Sequence, residues 1–225
     1  MAAETNSLEK SSLMEPGKAL ALWEVLSVVT SCLLLEWVVL SFVGRSKLVG
    51  AVPVLLAVGF MLVSHRERGE TVRDLGFRTD NFRAACRLLV LPTAVVVLLA
   101  VAVGWFTNHT IFQAPWRNRF LLLPLWGLLQ QYALNGFMNR RAQLALGKGT
   151  KSIVLVAIVF GLLHLPNPLL ALLTFVGGLV WAAVYQRQPN LFALALSHAV
   201  SSLTLALTIS PKLLDSLRVG FKYFG

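Results

Sequence analysis

Three clusters of polar side chains stand inside otherwise apolar stretches of the sequence, and their residue types are those that do chemistry. Gln130, Gln131 and Asn135 interrupt one apolar run; His164 closes another, just before Pro166, Asn167 and Pro168; His198 and Ser202 lie in a third. Gln131 and Asn135 are four residues apart, as are His198 and Ser202, so on a helix each pair shares a face, and Asn139 extends the first stripe. Two imidazoles brought together would hold a divalent metal, or orient a water and donate to a developing oxyanion. Both chemistries ordinarily want a carboxylate beside them, and Glu36 is the one acid in the middle of an apolar run. Each group also has a plainer use: Gln and Asn as interhelical glue worth about 1 kcal/mol, a histidine as a satisfied core residue, and Glu36 as an acid hydrogen-bonded within a helix bundle.

The elements that must position these groups are membrane spans. Of 225 residues 56% are hydrophobic and only 13% charged, with a mean hydropathy of +0.71, whereas soluble domains run about 45 to 50% apolar and about 25% charged. An ordinary soluble domain is excluded. Apolar runs at roughly 19–43, 48–63, 88–106, 120–137, 152–164, 169–185 and 191–209 predict an all-α fold, a polytopic membrane helix bundle of about seven spans. The fifth run meets Pro166 and Pro168 early, so its helix is bent, broken or incomplete.

The charged residues define the rest. Segment 64–87 carries six Arg against four acids, too polar for lipid, and reads as a surface connector. The net charge of +10 is spread over linkers beside apolar runs, which suits topology and lipid headgroups. The lipid bilayer is the expected partner, and nucleic acid is not. The N-terminus and the loops after spans 2, 4 and 6 share 13 Lys and Arg against 7 on the opposite side, placing the N-terminus in the cytoplasm. Cys32 and Cys86, in or beside apolar runs, suggest neither a disulfide framework nor a cysteine metal site. Residues 1–17 hold three Glu, unlike the basic start of a cleaved signal, and read as a polar tail before a retained span. A multi-pass domain over 18–210 follows. In 211–225, Leu213, Leu214, Leu217, Phe221 and Phe224 lie at helical spacing opposite Lys212, Asp215, Arg218 and Lys222, the pattern of an interfacial amphipathic helix.

These motifs resemble those of a known family, the CPBP intramembrane proteases, which include the type II CAAX prenyl endopeptidases and the ABI and bacteriocin-processing homologues. That family carries Glu-Glu-x-x-x-Arg-Gly in one membrane helix, Phe-x-x-x-His in the next and His-x-x-x-Asn in a later one. Here the positions read Gln130-Gln131-x-x-x-Asn135-Gly136, Phe160-x-x-x-His164 and His198-x-x-x-Ser202. Segments 160–187 and 191–200 are similar to the family's second half and 68–78 to its amphipathic connector, so the likeness spans about 66–205.

The resemblance implies a CPBP-type fold and an intramembrane endopeptidase, metallo or glutamate in type, acting on membrane-embedded or prenylated proteins or peptides in a bacterial cytoplasmic membrane. By position, Gln130 stands where the family has its water-activating Glu, Gln131 at the second carboxylate and Asn135 at the Arg. His164 and His198 are retained, and Ser202 stands at the Asn that supports the oxyanion. The resemblance leaves open whether zinc sits at His164 and His198 or no cofactor is used.

A Gln amide cannot take the carboxylate's proton, a step worth about 10² to 10⁴ in rate. The replacements are matched, however: Gln131 with Asn135 leaves a neutral hydrogen-bonding pair, where losing one member of a buried ion pair would strand a charge. Two functions follow from these residues. One is an endopeptidase homologue with water activated at a His164/His198 site and a carboxylate supplied from elsewhere, such as Glu36. The other is an inactive pseudoprotease that binds or regulates membrane or lipidated partners. A small transporter is disfavoured, since the sequence has no inverted repeat and no run of intramembrane charges.

Overall fold

The computed structural model describes residues 16–43, 47–107 and 119–224; the tail over 1–15, the interruption at 44–46 and the polar loop over 108–118 lie outside the described residues. All seven apolar segments are helical, and no strand occurs among the described residues. Helix α1 runs Pro16–Leu34 and continues through a π-helical turn, Leu35–Val39, into Leu40–Val43. Helices α2 (Lys47–Glu67) and α3 (Phe82–Phe106) follow. Helix α4 begins as Arg119–Gln131, passes through π-helical Tyr132–Asn139 and ends as Arg140–Leu146. Then come α5 (Thr150–Leu162), α6 (Pro168–Arg187) and α7 (Leu191–Thr208).

Among the described residues, Gly17–Val39, Phe82–Phe106, Pro168–Arg187 and Leu191–Thr208 are long and apolar enough to cross a membrane. Large apolar side chains such as Leu55, Leu56, Leu98, Leu99 and Leu125 face outward, an arrangement stable in lipid and costly in water. Helix α5, at 13 residues, reaches only ~20 Å against a hydrocarbon core of ~30 Å. It stops where Pro166 and Pro168 forbid continuation. Asn167 then starts α6, its side-chain oxygen accepting from Leu170 N–H at 3.1 Å, and Asn190 caps α7 through Ala193 N–H at 2.9 Å. The α5–α6 hairpin closes tightly because Gly178 has no side chain: a Cβ there would lie 2.9 Å from the Ala157 Cα. Helix α7 packs against both α3 and α4.

One end of the bundle gathers the start of α1, the end of α2, the connector and the end of α4 around a buried ion network. Arg141 has no exposed surface and pairs with Glu24 at 3.0 Å and Glu70 at 2.9 Å. Arg68 joins Glu24 at 2.8 Å, and Arg140 joins Glu70 at 2.7 Å. Burial pulls the Glu70 carboxyl upward, but hydrogen bonds from His65, Arg141 and Arg140 outweigh it and hold the group well below the usual carboxylate range. Sequence reading assigns these arginines to topology and headgroups; Arg68, Arg140 and Arg141 instead also build this end of the fold. The connector runs as turns pinned to the α6–α7 loop, with Leu191 N–H donating to Gly76 O at 2.8 Å and Asn190 donating to Arg78 O at 2.6 Å.

At the other end, the spacing that suggests one amphipathic helix over 211–225 gives something different. A single α turn, Pro211–Leu214, leads into 3-10 turns at Asp215–Leu217 and Gly220–Phe224. The helix stops because Asp215, Ser216 and Leu217 take left-handed backbone conformations. Asn167 accounts for part of this path: its side-chain NH2 donates to Leu214 O at 2.7 Å and Arg218 O at 3.3 Å.

Candidate functional site

The polar stripe of α4 faces the bundle interior. Gln131, Asn135 and Asn139 have no exposed surface, and each amide donates to the one before it: Asn135 to Gln131 at 2.7 Å and Asn139 to Asn135 at 2.9 Å. In an α-helix, residues four apart drift by about 40° per step. The π turns of 132–139, closed by i to i+5 bonds and so holding more residues per turn, rotate each residue less and work against that drift.

Gln131 meets α7 directly. Its Nε2 lies 3.2 Å from His198 Nδ1. The approach depends on Gly127, one turn earlier, where a Cβ would stand 3.3 Å from Ala195 O and 3.9 Å from the His198 Cβ. The His198 ring is stacked on Trp181 of α6, with centroids 4.6 Å apart and planes at 24°. Trp181 is itself anchored, its indole N–H donating to Ser197 at 3.1 Å, while Ser197 and Thr93 share a hydroxyl bond of 2.7 Å. His164 lies one turn past Phe160, and its Nδ1 is 2.6 Å from Phe160 O. The Phe160 ring meets both imidazoles, at 4.7 Å from His164 and 6.0 Å from His198. The structure therefore joins Gln131, Asn135 and His198 by hydrogen bonds and sets His164 beside them across Phe160.

Gln130 and Ser202 are half-buried and make no side-chain hydrogen bond among the described residues. Glu36 lies in the π turn of α1 against the tail, where a Cβ on Gly220 would come within 2.8 Å of its own Cβ. Gly220 N–H donates to Leu165 O at 2.9 Å, which ties the Glu36 turn to the residue after His164. One Glu36 carboxylate oxygen, Oε2, is buried without a hydrogen-bond partner.

Trp181, Ser197 and Gln186 belong to this site, and sequence reading misses all three. Trp181 looks like any core aromatic, and Gln186 sits beside Arg187 at a helix end, where polar residues are common.

Zinc does not fit the donors present. Protein zinc sites take three or four ligands from His, Cys, Asp or Glu, and among the described residues no three such side chains come together. Gln131 is already committed to Asn135 and His198.

The outward-facing apolar surfaces and the buried polar core define an all-helical integral membrane protein whose interior carries paired imidazoles. Residues 112–204 match the family model described as "Type II CAAX prenyl endopeptidase Rce1-like", a match over less than half of the chain that supports membership of the CPBP family of intramembrane proteases. No curated protein and no solved structure matches it. The match covers α4, α5, α6 and α7 as far as Thr204, and so all three motifs.

Proposed function

We propose that this protein is a pseudoprotease of its family: it binds a hydrophobic or lipidated membrane polypeptide at the histidine site without hydrolysing it. The observation that carries this reading is the state of Gln131. At the position of a family carboxylate it is fully buried, accepts from Asn135 and donates to His198, so it is a hydrogen-bonded structural amide, and an amide is not a base near neutral pH. Gln130 beside it is equally unable to act as a base, and no Asp or Glu occurs between Asp80 and Asp215. What remains suits binding. An apolar groove of about 560 Å³ runs along the outer face of α4, lined by Phe77, Leu122, Leu125, Trp126, Leu128, Leu129 and Tyr132, a surface that would seat an apolar segment next to the site.

The test uses the full chain in nanodiscs with photo-crosslinkable membrane peptides, prenylated and unprenylated. Crosslinking that falls sharply with His198→Ala, with no cleavage product, is the expected outcome. Cleavage by the wild type that disappears with His164→Ala or His198→Ala overturns the proposal.

One observation favours a second reading, an active endopeptidase whose carboxylate comes from α1. The buried, unpartnered oxygen of Glu36 sits in a turn tied through Gly220 to the residue after His164. If cleavage is observed, Glu36→Gln must abolish it for this reading to hold.

A further inference from the structure

The amide chain does not end at Asn139. Gln186 Nε2 donates to Asn139 Oδ1 at 3.0 Å and to Ser152 Oγ at 2.9 Å, and Gly149 N–H donates to Gln186 Oε1 at 2.9 Å. A continuous buried path thus leads from the α4–α5 loop to His198, through Gln186, Asn139, Asn135 and Gln131.

Its direction is fixed by two backbone groups of unambiguous polarity. The Gly149 N–H can only donate, so the oxygen of Gln186 must face it and the nitrogen must face Asn139. The Ala182 carbonyl, 3.2 Å from Asn139 Nδ2, can only accept, so the nitrogen of Asn139 must face it. With these ends set, the network assigns every amide between them: Asn135 presents its oxygen to Asn139 and its nitrogen to Gln131, and Gln131 presents its oxygen to Asn135 and its nitrogen to His198. A donor at His198 Nδ1 leaves that nitrogen unprotonated in the neutral ring, so the proton is on Nε2. His164 is set the opposite way. Its Nδ1 faces the Phe160 carbonyl, an acceptor, so its proton is on Nδ1 and its Nε2 keeps a lone pair.

We propose that Asn139 and Gln186 are positioning residues that hold His198 as its Nε2–H tautomer, so that the retained histidine pair offers a bound peptide one hydrogen-bond donor, at His198, and one acceptor, at His164. A peptide group freed from helical pairing carries one C=O and one N–H, which is the chemical class such a pair reads. The ligand half of this inference rests on the binding site described above; the tautomer half does not.

The experiment is ¹⁵N NMR of the histidine-labelled full chain in nanodiscs at about pH 8, with His198 assigned from the spectrum of His198→Ala. The wild type should show Nδ1 in the unprotonated range and Nε2 in the protonated range. In Asn139→Asp, with the new carboxyl ionised as its own ¹³C shift in the same sample reports, position 139 only accepts, so Asn135 must turn its nitrogen to position 139 and Gln131 must turn its oxygen to His198. The Nδ1 resonance should then move to the protonated range, although the substituted residue does not touch the ring. A residue that merely filled space would leave the tautomer unchanged. Gln131→Glu, which also offers His198 only acceptors, should give the same reversal and keeps the test decisive if Asn139→Asp does not fold. A wild-type His198 protonated on Nδ1, or an unchanged tautomer in a folded variant of either kind whose new carboxyl is ionised, overturns the proposal. Because the readout needs neither capture nor cleavage, failed peptide capture with the expected tautomer removes the proposed function and leaves the positioning role standing.

Discussion

Arg141 shows how much a single residue carries at this membrane boundary. Its guanidinium is wholly buried and faces two carboxylates, Glu24 and Glu70, so removing either acid leaves cationic charge underpaired in a low-dielectric site. Breaking such a pair costs about 3 to 5 kcal/mol. Glu70→Gln is therefore expected to lower the thermal unfolding midpoint in detergent at pH 7 markedly. The pH dependence has a definite sign. Glu70 is held below its ordinary range in the fold, so its stabilising contribution is fully present above the unfolded value of ~4.3 and is lost as pH falls below it toward the folded value. The wild type should lose stability across that acid window by more than Glu70→Gln does. Equal acid sensitivity of the two proteins would show that Glu70 is not held in this way.

At the scale of elements, the site is made by close helix approaches that small residues permit. Gly127 lets α7 come near enough for Gln131 to reach His198. Gly127→Leu should cost about 1 to 3 kcal/mol by overpacking and disconnect His198 from the amide chain, read as loss of a defined tautomer in the same NMR spectrum; an intact tautomer would mean that α7 is positioned by other contacts. Asn167 joins two elements with opposite ends of one amide, its oxygen capping α6 and its nitrogen holding the tail. Asn167→Asp keeps the acceptor and loses the donor, so hydrogen exchange should quicken in 211–224 while α6 stays protected, whereas Asn167→Ala should loosen both. Unchanged exchange in the tail of Asn167→Asp would assign its fixation to the packing of Leu214 and Leu217 instead. These contacts also mark what a sequence can reveal. The stripe Gln131, Asn135 and Asn139 is legible because four-residue spacing is a local property of helices, and so is the break at Pro166. Gln186 is not, because it meets Asn139 only once α6 has packed on α4. The broken tail is not, because the apolar spacing of Leu213 to Phe224 carries no sign of the left-handed residues at 215–217.

For the whole molecule, the two ends of the bundle are chemically different, and that difference gives an expected orientation. One end holds the start of α1, the connector, the α4–α5 loop and the α6–α7 loop; the other holds the α5–α6 break beside His164 and the tail. Among the described residues the first end carries 12 Lys and Arg and the second 5. Pairing of Arg68, Arg140 and Arg141 with Glu24 and Glu70 does not weaken this bias, because orientation follows Lys and Arg near span ends and acids contribute little. The connector end is expected to face the cytoplasm. With Cys32 and Cys86 replaced by Ala, a single cysteine at exposed Thr79 or exposed Lys212 reports the two ends separately. A membrane-impermeant maleimide applied to intact cells should label Lys212→Cys at once and Thr79→Cys only after permeabilisation. The reverse pattern would overturn the orientation, and with it the expectation that the tail and the α5–α6 break lie toward the non-cytoplasmic side, where a partner peptide approaching the His164 turn from solvent would have to arrive.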